Sequence, residues 1–393
     1  MGHSRILVAS LLCIAGLLSA QTEHVVTVFV HGTVGVFFQA PRLLFGLPDR
    51  YNLKLRTFQK NFRSHYLFEA DQLAPVCQGL VLLSQEYIQN YGTCELPQEE
   101  TVRAWYHLAT AYHTAEEQVG SGSERNYALF GWSGTLDNDE RRNEGYRLYD
   151  ELIALRERYY ACHGVTPVFN LVAHSHGGNV CLWLHDAEVQ QKKNLEIRSL
   201  CLLGTPIQAE TRAGIESSLF KTIISLYSEG DYIQSADRTG PSKKSYQRLS
   251  DVALCTGLRR FDVRIAINGD KKKVDHTSLF LAGRGMVFDK LCPQLPFVMF
   301  TPYVVASIAT SGADQLGAES IDVNCRFGSA LHVTARVCKQ GKLVHSVHND
   351  YPLHPTRTLY KIIEQKWHPV AAGRHPFFNM KSWKMFVDLN QKI

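Results

Sequence analysis

The segment Leu171-Val172-Ala173-His174-Ser175-His176-Gly177-Gly178 sets one serine between an apolar run and the start of a helix pattern. Ala173 and Gly177, two positions to either side of it, leave room for a strand and a helix to approach closely. A serine at the apex of so tight a turn holds its Oγ clear of the strand. It also sits beside a helix N-terminus, where amide N–H groups point outward and favour negative charge. These are the requirements of acyl transfer. The hydroxyl attacks a carbonyl, and fixed amide dipoles stabilise the oxyanion, each donor lowering the barrier by about 2.7–4 kcal/mol. Such a nucleophile needs a base for its proton and a carboxylate to orient that base.

The surrounding sequence predicts the elements that would hold these groups. Short, β-branched apolar runs recur at 25–30 (VVTVFV), 127–132 (YALFGW), 168–172 (VFNLV), 200–203 (LCLL), 223–227 (IISLY) and 263–267 (VRIAI). Runs of this length, apolar almost throughout, suit strands covered on both faces, as in a parallel sheet. Helix patterns lie between them. Over 139–160, Leu148, Leu152, Leu155 and Tyr159 share one face, and 178–188 is a second candidate. The alternation predicts an α/β protein with a doubly wound, mostly parallel sheet and its chemistry at the carboxyl ends of the strands.

Two regions interrupt the series. Residues 36–126 are far longer than an ordinary connection and carry Val76, Leu80, Leu83 and Tyr87, then Val102, Trp105, Leu108 and Tyr112, at helical spacing. They read as a helical insert or cap. Its apolar residues either roof a cleft, which favours longer acyl chains, or pack the insert onto the core. After Ser311-Gly312-Ala313-Asp314 comes an alternating strand through Leu331, Val333, Ala335 and Val337, a turn at Gln340-Gly341 and a return strand over 343–347. We read a C-terminal extension, 301–393, carrying a β-hairpin and a short helix near 358–366, beside a main domain of 21–300.

The motif Ala173-His174-Ser175-His176-Gly177-Gly178 resembles the Ala-x-Ser-x-Gly-Gly elbow of lipase-like esterases in the α/β-hydrolase superfamily. Two further pieces are similar: Phe29-Val30-His31-Gly32-Thr33 after the first strand, and Leu203-Gly204-Thr205-Pro206 after a later one. The resemblance spans roughly 24–285 without the insert. It implies an oxyanion hole made by the backbone N–H groups of Thr33 and His176, and a triad in the chain order serine, acid, histidine. It therefore implies a serine hydrolase acting on carboxylic esters, small or lipid, without cofactor or metal. Transfer to an alcohol, thioester cleavage and amide cleavage use the same triad, and a non-catalytic binding protein can share the fold.

In that order the acid follows a later strand. Ser228-Glu229-Gly230-Asp231 ends the run 223–227, and Asp231 is the choice, with Glu229 the alternative. The histidine belongs in the loop after 263–267, where His276 stands, with His345 and His348 as competitors among the chain's 17 histidines. Positions three apart on a strand face opposite sides, so His345 and His348 do not form a shared ligand site. His31 and His174 read as packing or hydrogen-bonding groups near the site. Trp132, at the end of the second core strand, reads either as a packing residue or as a wall of the substrate pocket.

Composition bounds the rest. The chain has 393 residues, 45% hydrophobic and 20% charged, which excludes a disordered or collagen-like protein. A net charge of +5 over that length is too weak an argument for nucleic acid. Lys271, Lys272 and Lys273 read first as a solvated loop charge and second as a peripheral contact to anionic lipid head groups. At the N-terminus, Arg5 precedes an apolar run over 6–20 that ends Leu18-Ser19-Ala20. That is the pattern of a signal peptide, 1–20, rather than a membrane span, and it predicts a secreted or otherwise exported protein. Export permits disulfides. Cys77 with Cys94, and Cys325 with Cys338, flank turns and suit pairing, whereas Cys181 and Cys201 lie in apolar runs and read as buried thiols. No CxxC spacing supports a structural zinc site.

Overall fold

The fold was obtained as a computed structural model. It describes residues 23–32, 79–89, 100–120, 123–134, 137–231, 234, 237, 245–253, 257–267, 274, 276, 279, 297–317 and 320–353. The signal pattern 1–20, Thr33, Cys77, Cys94, Lys271 to Lys273 and the helix expected near 358–366 lie outside the described residues.

The apolar runs are strands, as their composition predicts. The strands of the described residues are β1 (His24–Val30), β2 (Gly79–Leu82), β3 (Glu124–Gly131), β4 (Val168–His174), β5 (Ile197–Leu203), β6 (Ile207–Gln208), β7 (Phe220–Tyr227), β8 (Ser245–Tyr246), β9 (Arg259–Ile267), β10 (Ser320–Phe327), β11 (Ala330–Lys339) and β12 (Lys342–Pro352). Ten of them form one sheet in the order β12-β11-β10-β9-β7-β5-β4-β1-β3-β2. The stretch from β3 to β10 is parallel throughout. β2 and the β11–β12 hairpin join by antiparallel pairing, while β6 and β8 make a separate small ladder.

The helices are α1 (Gln85–Gln89), α2 (Glu100–Val119), α3 (Asn138–His163), α4 (His176–Leu182), α5 (Leu184–Gln191), α6 (Arg212–Ile215) and α7 (Thr301–Thr310). Strand alternation divides the interior into two apolar layers. Val26, Val28 and Val30 of β1, with Phe169, Leu171 and Ala173 of β4, meet Leu148 and Leu152 of α3 and Val180 of α4. Phe29 and Val172 face the other way, toward Leu108 and Tyr112 of α2, in a layer that also holds Tyr303 and Val304 of α7. A side chain as fully buried as Phe29 contributes about 1.5–3 kcal/mol. Helix α3 is capped at both ends. The Asp137 side chain accepts from the Glu140 amide at its start, and Gly164 ends it in the left-handed conformation.

Three expectations need correction. Helical spacing over 76–87 does not give one helix. Gly79–Leu82 pairs with β3, and only Gln85–Gln89 is helical, because a short apolar run fits either period. The C-terminal hairpin forms, but it is not set apart. β10, not anticipated, pairs in parallel with β9 and carries the hairpin as a continuation of the central sheet. Cys325 and Cys338 do not pair. They sit opposite Val333 and Ser320 respectively, near opposite ends of the ladder, and both are free thiols. Cys181 and Cys201 are buried free thiols, as expected, and burial pushes both thiols well up.

Leu83, Leu108 and Tyr112 pack in the layer with Phe29, so these insert residues join the core rather than a roof. Among the described residues no helix is long and apolar enough to cross a membrane.

Candidate active site

Strand order reverses between β1 and β4: the chain leaves β1 toward β3 on one side and leaves β4 toward β5 on the other. Such a switch point opens a crevice at the carboxyl edge. His31 and Gly32 follow β1 there, and Ser175 follows β4. Asp231 follows β7 and His276 follows β9, at the same edge of the same parallel run.

Ser175 occupies the turn between β4 and α4 with φ 50° and ψ −133°, a strained conformation for a residue with a side chain. Two backbone bonds hold it. Its N–H donates to Leu203 C=O at 2.9 Å, and its C=O accepts from Gly178 N–H at 3.0 Å. Gly177 is required by close approach, since a Cβ there would collide with the carbonyl oxygens of Val30 and His31. His176 is the first residue of α4, so helix geometry leaves its amide without an intrahelical acceptor.

The three residues expected to act together are brought together. Ser175 Oγ lies 2.9 Å from His276 Nε2, and His276 Nδ1 lies 2.8 Å from Asp231 Oδ2. The carboxylate accepts from Nδ1–H, which leaves the Nε2 lone pair facing the serine hydroxyl. The Asp231 side chain is fully buried, and its second oxygen, Oδ1, accepts from Gln234 N–H at 3.0 Å. Its backbone closes the Ser228–Asp231 turn at 3.0 Å and accepts from Gln247 Nε2 at 3.1 Å. Gly204, at φ 57°, lies against the pair. A Cβ there would be 2.7 Å from Asp231 Oδ2 and 3.3 Å from His276 Nδ1. Glu229, the alternative acid, turns away to Arg264 at 3.2 Å. His345 and His348 are exposed on β12, with five strands between it and β4.

The remaining imidazoles are buried and held neutral. His31 donates from Nδ1 to Gly32 C=O at 2.7 Å and accepts Trp132 N–H at Nε2 at 3.3 Å. Burial pushes it down to about 4. Trp132 stacks on that ring, centroids 5.6 Å apart, and donates from Nε1 to His31 C=O at 2.8 Å. It is fully buried and braces the turn after β1. His176 Nδ1 accepts from Asn179 Nδ2 at 3.3 Å, and its Nε2 lies 3.5 Å from Asp237 Oδ2. Burial again pushes it down, and both ring nitrogens are taken up by Asn179 and Asp237. His174 donates from Nε2 to the His276 carbonyl at 3.1 Å. Burial, reinforced by the His276 ring, holds it well below the usual histidine range.

Gln234, Gln247 and the Trp132–His31 bracing were not anticipated. One signal existed: an aspartate three residues before Gln234 is an N-cap spacing, and it is that amide which Oδ1 accepts. Among the described residues no cluster of His, Cys, Asp and Glu is arranged to hold a metal ion. No family model matches this chain, and no similar protein was found among curated proteins or solved structures.

Proposed function

We propose that the chain is an exported serine hydrolase of the α/β-hydrolase type that cleaves carboxylic esters. The observation that carries this reading is the unbroken hydrogen-bond series Asp231–His276–Ser175, assembled from the ends of three different strands and directed at a strained serine. The order Ser175, Asp231, His276 along the chain supports it.

Ser175 Oγ attacks the ester carbonyl while His276 Nε2 takes its proton. Asp231 holds the imidazole through Nδ1–H and stabilises the imidazolium. Negative charge on the former carbonyl oxygen is met by the His176 amide at the start of α4 and, as the resemblance implies for a residue outside the described ones, by the Thr33 amide. His276 then returns the proton to the departing alcohol, leaving an acyl-serine. Water, deprotonated by the same imidazole, releases the acid and restores Ser175. Export is carried by the sequence pattern of 1–20 alone.

Hydrolysis of soluble p-nitrophenyl esters by the full chain tests the reading. Ser175→Ala is expected to lower kcat/KM by about 10⁴- to 10⁶-fold with the fold retained. A folded variant with unchanged turnover overturns it.

A further inference from the structure

His276 poses a positioning problem that the triad bonds do not solve alone. The carboxyl ends of β4 and β9 are separated by β5 and β7, three strand spacings or about 14 Å. His276 nevertheless stands beside Ser175, well back along the sheet edge from the strand that precedes it. His276 lies in a turn outside any strand, so no sheet ladder fixes its backbone. A base held only at Nδ1 and Nε2 is free to pivot about the backbone that carries it. Small displacements of a reacting group cost large factors in rate.

The bond from His174 meets this need. Its Nε2–H donates to the His276 carbonyl at 3.1 Å, in a buried setting. His174 is the last residue of β4 and the neighbour of Ser175, so adjacent residues grip His276 at root and tip: His174 at the backbone carbonyl, Ser175 at Nε2. The two rings lie against each other, centroids 4.8 Å apart and tilted by 41°. His31 and His176, the other buried imidazoles here, are directed elsewhere, to Gly32 with Trp132 and to Asp237 with Asn179.

We infer that His174 is a positioning residue, whose donated hydrogen bond ties the His276 backbone to the strand that leads into Ser175 and so fixes the base between nucleophile and acid. Kept neutral by burial, it bonds without placing a second charge beside the imidazolium that forms on His276. The inference rests on the hydrolase reading for its kinetic consequence, but its structural content stands apart from it.

Glutamine carries its side-chain NH₂ about as far from Cβ as histidine carries Nε2, whereas asparagine falls one methylene short. His174→Gln is therefore expected to keep the bond, and His174→Asn and His174→Phe to lose it. Two readouts decide. For ester hydrolysis, His174→Asn and His174→Phe should lower kcat about 10- to 100-fold with KM within about twofold, and His174→Gln should return kcat to within about threefold of wild type. In proton NMR, the downfield His276 Nδ1–H signal should be present in the wild type and His174→Gln and exchange-broadened in His174→Asn. The NMR pattern does not require turnover. If it holds and no ester is hydrolysed, the hydrolase reading fails and the positioning role stands. If Asn and Gln behave alike in the NMR readout, or if KM rather than kcat changes, the positioning role is overturned. Should the Phe variant not fold, the Asn–Gln pair still decides.

Discussion

Two groups of histidines in this molecule teach opposite lessons. At the carboxyl edge of the central strands, His31, His174, His176 and His276 are buried, and each ring bonds to a defined backbone or side-chain partner. On the outer hairpin, His332 meets Asp350 at 2.6 Å and His348 meets Thr334 at 2.9 Å, both in exposed settings, and His345 is exposed beside them. An Asp–His pair is present in both regions. Only one has a carboxylate removed from water, with its second oxygen occupied, and a hydroxyl waiting at the far nitrogen. What separates a base from a surface histidine is the set of elements that converge on it.

The comparison breaks most visibly at the proposed base. His276→Ala should cost about 10⁴- to 10⁶-fold in kcat/KM, whereas His345→Ala and His348→Ala should stay within about twofold. If either hairpin variant loses turnover while His276→Ala keeps it, the base assignment is wrong. The two acids give the next largest contrast. Asp231→Asn should lower kcat by about 10⁴-fold, because the amide cannot hold the imidazole in the working tautomer. Glu229→Gln should change little, since Glu229 serves Arg264. Equal effects from the two would erase the distinction.

A smaller effect sharpens the contrast in burial. His31 is held at about 4 in the folded chain, against an ordinary value of 6.5. The unfolded chain therefore binds a proton that the folded chain refuses as the pH falls below 6.5, and stability declines toward pH 4. Between pH 7 and 5 that ring alone should cost about 2 kcal/mol. Buried Glu116, Glu144 and Asp262, pushed up by burial, act in the opposite sense. The difference between wild type and His31→Gln isolates the ring. Urea midpoints at the two pH values should lie closer together in the variant, in which His174 and His176 keep their own share of the slope, and an unchanged slope would contradict neutral burial of His31.

What was legible in the sequence was local. The run ending at Ala173-His174, the small residues about Ser175 and the helix after it specify one turn, and the chain makes it. Asp231 and His276 are chosen from the chain order that the resemblance implies and from the strands that precede them. Relations across the sheet were not legible. Residues 320–327 alternate in polarity but draw no assignment, yet β10 is the strand that joins the hairpin to β9. Trp132 at a strand end fits a pocket wall as well as a brace, and its stacking on His31 is a contact that no local pattern shows. Nothing in the pattern around His174 reveals that its donor reaches a carbonyl 102 residues away. Register, burial and such long-range bonds come from the packing of all elements at once.

The central claim is that Ser175 is an activated nucleophile, and active-site labelling tests it most directly. The folded chain would be treated at pH 7.5 with a fluorophosphonate, and the adduct located by peptide mass spectrometry. One adduct on Ser175, absent from Ser175→Ala and formed far more slowly by His276→Ala, is the predicted result. No adduct on folded protein, or one at a different serine, would contradict it.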